Sequence, residues 1–426
     1  MGELVELEAP SKGGPGSRRK TQKTTTGGRR RSKTALVLGG GGFTGGVYQI
    51  GALRALDLLT VNRTVNDFDI YIGTSAGAFV STLTASGVTP EEMSRVVNDQ
   101  VPTPFREVSL GTLLKPNYAD FATRGMLFPL RLAGLMRMVA SRWREVSLMD
   151  IVAGLAEALP SGMYTGAGVE KYIREILEDT DRTNDFRMLE SELFLTATDL
   201  DTCERVVFGA SGWDDVPISQ AVAASAALPM VYRPVEIKGR QFIDGGIRST
   251  TNVDLAVERG AKFIVVVNPL VPYVNDFQKR IPTIFGSRVR RVSDMGYTQV
   301  GYQAFKLLAH ARLHEHVKRW SERYPGVDLI LIEPDPNDEL MFGTSIMNYS
   351  SRLEIARHGF ESVTLKLAKD YHRYKRICEK HGIEISARRV TKILQQAEEQ
   401  REKTTAWRRI FEQTTGALLR QSGESS

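Results

Sequence analysis

The residue type and setting that most directly suggest chemistry are those of Ser75. It sits in Gly73-Thr74-Ser75-Ala76-Gly77, after the apolar run Phe68-Asp69-Ile70-Tyr71-Ile72 and before Ala78-Phe79-Val80-Ser81-Thr82-Leu83. That order predicts strand, tight turn, helix. Glycine on either side removes the side chains such a turn cannot hold, so the serine oxygen is presented at the positive end of the next helix, where a developing oxyanion is favoured. One strand earlier, Thr34-Ala35-Leu36-Val37-Leu38 runs into Gly39-Gly40-Gly41-Gly42-Phe43-Thr44-Gly45-Gly46, and Val47 to Leu56 has helical apolar spacing. Consecutive glycines let backbone amides converge on an anion, either a phosphate or an acyl-transfer oxyanion.

Gly40, Gly42 and Gly45 also satisfy GxGxxG, which raises dinucleotide binding. That chemistry needs an acidic residue at the end of the next strand. Asp67 and Asp69 fall before or inside the run instead, and the run ends in the serine turn. A third element favours acyl transfer. Val235 to Ile243 reads as a hairpin whose second strand enters Asp244-Gly245-Gly246, and an aspartate held there can take the proton of an attacking serine and return it to the leaving group. A lone Asp-Gly step otherwise marks an ordinary turn.

Taken together and in this order, these residues resemble the patatin-like phospholipase family over about residues 34 to 257. The resemblance implies a three-layer α/β/α domain with a central, mostly parallel sheet and additional C-terminal helices. It implies a serine-aspartate dyad of Ser75 and Asp244, an oxyanion hole from Gly40, Gly41 and Gly42, and supporting turn glycines Gly45, Gly73, Gly77, Gly245 and Gly246. Ala223-Ala224-Ser225-Ala226-Ala227-Leu228-Pro229 and Asn252-Val253-Asp254-Leu255-Ala256 add to the likeness. The implied activity is cleavage of fatty-acyl esters of a phospholipid or neutral glycerolipid through an acyl-enzyme, with no metal or organic cofactor. The chain departs from the family at Thr44, where many members carry arginine or lysine, and its glycine loop reads one residue longer.

All six histidines (His310, His314, His316, His358, His372, His381) follow Asp244, so a Ser, Asp, His triad in α/β-hydrolase order stays open, as does a non-catalytic lipid-binding protein. His310 and His314 have metal-compatible helical spacing. No acidic or cysteine partner stands at an expected spacing, and the stretch reads as a solvated helix face. Two cysteines, Cys203 and Cys378, do not make a disulfide framework, and Cys203 is expected at a strand edge as a small apolar residue.

Nine Lys or Arg in residues 1–33 against three Glu give a net +6, equal to that of the whole chain of 426 residues. This segment cannot bury enough apolar surface to fold and is expected to be a disordered basic tail, suited to peripheral contact with an anionic membrane. Nucleic acid is the weaker partner, since the remaining chain is near neutral. No apolar run approaches the roughly 20 residues of a membrane span, so a cytoplasmic enzyme, peripheral at the membrane, is expected. Met126 to Ala140 is the most lipid-like stretch, interrupted by Arg131 and Arg137. Beyond the catalytic domain at 34–257, residues 258–384 read as an α/β extension with strands at Lys262–Val267 and Asp328–Ile332, and 385–426 as a polar helix and tail.

Overall fold

The computed structural model describes residues 4–5, 32–98, 110–141, 147, 159–178, 182–276, 281–282, 288–343, 349–389 and 391–392. Short apolar runs without polar alternation suit strands covered on both faces, and they form a nine-stranded sheet. In chain order its strands are β1 (Leu4–Val5), β2 (Thr34–Leu38), β3 (Ile70–Thr74), β4 (Glu192–Asp199), β5 (Arg205–Phe208), β6 (Val235–Ile237), β7 (Arg240–Asp244), β8 (Phe263–Val267) and β9 (Asp328–Ile332). Their spatial order is β1-β9-β8-β2-β3-β4-β7-β6, with β5 paired to β4. From β1 through β4 the pairing is parallel; β7 meets β4 and β6 antiparallel.

Alternate residues of a strand face opposite ways, and here they feed two cores. Leu36, Leu38 and Tyr71 join one cluster, while Ala35, Val37, Ile70 and Ile72 join the other. The first is covered by α1 (Gly42–Leu59), α2 (Ala76–Ala85), α4 (Ile218–Ser225), α7 (Arg352–Lys369) and α8 (Tyr371–Lys380); α3 (Tyr118–Ser141) lies between α2 and α4 in sequence. The second is covered by α5 (Val253–Glu258) and the end of α6 (Tyr297–Lys318), and includes fully buried Trp320. This is the expected three-layer α/β/α arrangement with added C-terminal helices.

Three details differ from the sequence reading. The helix after β2 starts at Gly42 rather than near Val47, taking in Gly45 and Gly46 besides the already expected Gly51. Their smallness has local reasons: a Cβ on Gly45 would stand 3.0 Å from Pro269 Cγ, and one on Gly51 2.2 Å from the Ala356 carbonyl of α7. Within the segment expected to be disordered, Leu4–Val5 pairs in parallel with Leu329–Ile330 of β9, adding a short apolar edge strand; the rest of residues 1–31 lies outside the described residues. Cys203, expected at a strand edge as a small apolar residue, is exposed in the turn between β4 and β5 with φ 58°.

The polar helix expected from 385 onward falls almost wholly outside the described residues. Among them, no helix is long and apolar enough to cross a membrane. Met126 and Leu130, from the lipid-like stretch, are exposed on α3.

Candidate active site

Ser75 is the hinge between β3 and α2, with φ 56° and ψ −123°, a conformation side-chain-bearing residues rarely adopt. Such backbone costs on the order of 1–3 kcal/mol and persists only where the surroundings enforce it. The flanking glycines show how. A Cβ on Gly73 would lie 2.1 Å from Ser81 Oγ, and one on Gly77 2.1 Å from the Leu38 carbonyl, so the turn is clamped against α2 on one side and β2 on the other. The Ser75 amide donates to Ser225 Oγ at 2.9 Å, and the Ser225 hydroxyl donates to the Thr196 carbonyl at 2.7 Å.

Asp244 arrives by a different route. β3 pairs with β4 up to Thr74 opposite Thr196, and β7 pairs with the next residues of β4, placing Asp244 opposite Ala197. β5 occupies the other edge of β4 over Leu195 to Thr198. Hence β3 and β7 share one edge, running toward each other and stopping at consecutive β4 residues. The two strand ends bring the Ser75 hydroxyl to Asp244 Oδ2 at 2.5 Å, across 169 positions of sequence. The Gly246 amide donates to Oδ1 at 2.7 Å. Asp244 is 3% exposed and Ser75 8%. Burial pushes the Asp244 carboxyl up to about 6, against the opposing pull of the Ser75 and Gly246 hydrogen bonds.

Beneath the pair, the Thr74 and Thr196 hydroxyls are 2.8 Å apart, and buried Asn252 donates through Nδ2 to both at 3.0 Å. Arg205 in turn donates to Asn252 Oδ1 at 3.0 Å and pairs with Asp254 at 2.7 Å. Ser225 and Asn252 lay within motifs already noted in the sequence. Their positioning roles were hidden because the partners are 150 and 178 residues away.

The glycine loop requires one correction. The Gly40 amide is occupied, donating to the Thr250 carbonyl at 3.2 Å, as the Gly39 amide does to Val267 at 3.0 Å. The Gly41 and Gly42 amides meet no acceptor among the described residues. They stand at the first turn of α1, where amides lack intrahelical acceptors and the helix dipole is positive. Buried Gln49 holds the loop from below, donating to the Gly39 carbonyl at 2.6 Å, and Pro269 packs against Gly41 and Gly45. Thr44, where the resemblance leads to the expectation of a basic residue, is buried in the first turn of α1.

Ser75, Asp244 and the glycine loop line a cavity of about 560 Å³. Its walls are apolar, including Phe79, Leu83, Met93, Val169, Tyr172 and Ile176. No histidine is among the lining residues. His358 bonds Asp338 at 2.5 Å and His381 bonds buried Asp328 at 2.7 Å, whereas the Ser75 hydroxyl is bonded to Asp244. His310 and His314 gather around Glu333, an acidic partner the local sequence pattern did not supply. Cys378 is buried, and burial pushes its thiol up to about 12.

The model of a family described as patatin-like phospholipase matches residues 36–257. Among curated proteins, the chain is 24% identical over 226 residues to the uncharacterised protein YqhO of Bacillus subtilis, a match covering 49% of this chain and 64% of that one. It is 22% identical over 219 residues to the probable lipid hydrolase 463L of Invertebrate iridescent virus 6, covering 51% and 61%. The chain thus spans a little under two thirds of these relatives. Among solved structures, VipD from Legionella pneumophila aligns with a TM-score of 0.35 at 14% identity, covering 79% of this chain and 67% of that one. The ExoU-SpcU complex of Pseudomonas aeruginosa gives a TM-score of 0.30 at 15% identity, covering 92% and 64%. The family model spans just over half of the sequence and contains the glycine loop, the serine turn and the aspartate: the chain belongs to the patatin-like phospholipase family.

Proposed function

We propose that the protein is a lipid acyl hydrolase whose nucleophile is Ser75 and whose general base is Asp244. The observation that carries this reading is the 2.5 Å hydrogen bond from the Ser75 hydroxyl to a buried carboxylate at a large apolar cavity. Ser75 Oγ attacks the ester carbonyl as its proton passes to Asp244. The oxyanion is met by the Gly41 and Gly42 amides and the first turn of α1. Collapse breaks the bond to the alcohol, which takes the proton from Asp244 and leaves. A water then loses its proton to Asp244 and cleaves the acyl-enzyme, and the proton returns to Ser75 Oγ as the fatty acid departs.

A carboxyl near 6 is a better proton acceptor than an ordinary aspartate and remains ionised at neutral pH. The apolar walls suit a fatty-acyl chain, and the family supports a phospholipid or neutral glycerolipid as its source. Contact with an anionic membrane through the basic amino-terminal segment is part of the same proposal.

The test is labelling of the purified chain with a fluorophosphonate, in wild type, Ser75→Ala and Asp244→Asn, alongside release of fatty acid from phosphatidylcholine and diacylglycerol in mixed micelles. Wild type should label and turn over. Ser75→Ala should do neither, and Asp244→Asn should fall by at least about a hundredfold, the scale of a lost general base. Folded wild type that fails to label, or equal labelling in all three proteins, would sink the assignment.

A further inference from the structure

We propose that His310, His314 and Glu333 form a binding site for one zinc-type divalent metal ion, separate from the serine-aspartate pair. His310 and His314 lie one turn apart on α6, their ring centroids 3.8 Å from each other. Glu333 follows β9 directly, and its Oε2 lies 2.9 Å from His314 Nε2 and 3.9 Å from His310 Nε2. One potential ligand atom from each of the three residues lies within 4.8 Å of the others. A tetrahedral zinc with bond lengths near 2.0–2.2 Å needs ligand atoms roughly 3.4 Å apart, and the observed separations bracket that value.

The carboxylate is held in place by its neighbours. Asn268, fully buried after β8, donates Nδ2 to Glu333 Oε1 at 2.7 Å, leaving Oε2 directed at the two imidazoles. Lys366 of α7 donates to the Glu333 carbonyl at 2.6 Å. Such outer-sphere bonds orient ligands in metal sites generally. As a hydrogen-bonded cluster the arrangement is incomplete, because Oε2 lies within bonding distance of His314 Nε2 at 2.9 Å while His310 Nε2 stands off at 3.9 Å. A metal would take a nitrogen from each and the oxygen from Glu333. The side chains are 24%, 23% and 14% exposed, so an ion can enter and water can supply a fourth ligand. Two imidazoles with one carboxylate favour zinc, cobalt or nickel over calcium and magnesium, which prefer all-oxygen sets.

The site connects to the glycine loop by a short path. Asn268 precedes Pro269, and a Cβ on Gly41 would stand 2.8 Å from that proline's Cγ. An ion on Glu333 would therefore brace the segment behind the Gly41 amide. The binding claim itself stands independently of whether Ser75 is catalytic.

The experiment uses the untagged full chain after treatment with a chelator. Zn²⁺ is titrated by calorimetry, and Co²⁺ by its visible absorption. One ion per chain at micromolar or tighter affinity is expected, with visible bands of a low-coordinate cobalt site and no competition from millimolar Ca²⁺ or Mg²⁺. His310→Ala and Glu333→Gln should each weaken binding at least tenfold, and Asn268→Ala by a tenfold to hundredfold factor typical of outer-sphere partners.

Should those variants fold poorly, wild type alone still decides. Zinc should protect His310 and His314 from diethyl pyrocarbonate, read by peptide mass spectrometry, while His372 stays reactive. Absence of stoichiometric uptake by wild type, undiminished binding by a folded His310→Ala/His314→Ala variant, or equal modification with and without zinc would overturn the site.

Discussion

Asp244 bears two opposed demands, since the fold must bury it beside Ser75 while the chemistry needs it charged. Its carboxyl stands at about 6 against an ordinary 3.8, so the folded chain binds that proton more tightly than the unfolded chain does. The cost of ionising it is therefore absent below about pH 4, grows between 4 and 6, and is complete above 6. At 1.36 kcal/mol per unit, two units correspond to about 3 kcal/mol. Asp244→Asn, neutral at every pH, should accordingly be more stable than wild type at pH 8 by up to about 3 kcal/mol, and show less advantage at pH 5. Urea unfolding of both proteins at the two pH values checks this; a variant less stable at pH 8 would contradict it. For the same reason kcat/KM of the wild type should fall as pH drops through about 6, which a pH profile on a soluble ester would show.

At this scale the sequence was informative about Ser75 and Asp244, because a glycine-pinched turn and an Asp-Gly step leave local marks. It was not informative about which glycine amides point inward. Gly40 is withdrawn by the Thr250 carbonyl, 210 positions away, and no pattern near Gly40 announces that bond.

Among the elements, the contact of α1 with α7 has little tolerance. Gly51 lets the Ala356 carbonyl approach to where a Cβ would stand 2.2 Å away, and Gly359 does the same for Tyr48 at 2.5 Å. Gly51→Ala must push the helices apart or bend one of them. Overpacking of this kind costs about 1–3 kcal/mol, although alanine alone would favour the helix by somewhat under 1 kcal/mol. A lower thermal midpoint is expected, together with slower fluorophosphonate labelling, since the first turn of α1 carries the Gly41 and Gly42 amides. A midpoint at or above that of wild type would show that the crossing yields freely.

Strand positions at 34–38, 262–267 and 328–332 followed from apolar runs of strand length. The start of α1 did not, because four glycines in a row read as loop until Pro269 is known to pack on Gly41 and α2 on Gly46. Nor could the approach of Glu333 to His310 and His314 be read locally, since it depends on β9 and α6 meeting in space.

For the molecule as a whole, the segment matched by the family model ends before two strands of its own sheet. β8 lies directly beside β2 with all five residues in register, and β9 lies beyond it. A chain ending at residue 257 would expose the edge of β2, a strand with every residue buried, and would strip α7 from α1. Unpaired apolar edges of that kind recruit other chains. The truncated protein should be found in aggregates and fail to label, which sedimentation and fluorophosphonate reaction would report. A monomeric, labelling fragment 1–257 would refute the argument.

The meeting of β3 and β7 along one edge of β4 has a kinetic consequence. Neither strand's own neighbours in sequence can bring Ser75 to Asp244; both must have docked on β4, β3 through pairs 122 positions apart and β7 through pairs 43 to 47 apart. Long-range pairings of this sort form slowly. During refolding from urea, helical signal should return well before reactivity toward a fluorophosphonate, making the serine an internal clock for completion of the sheet.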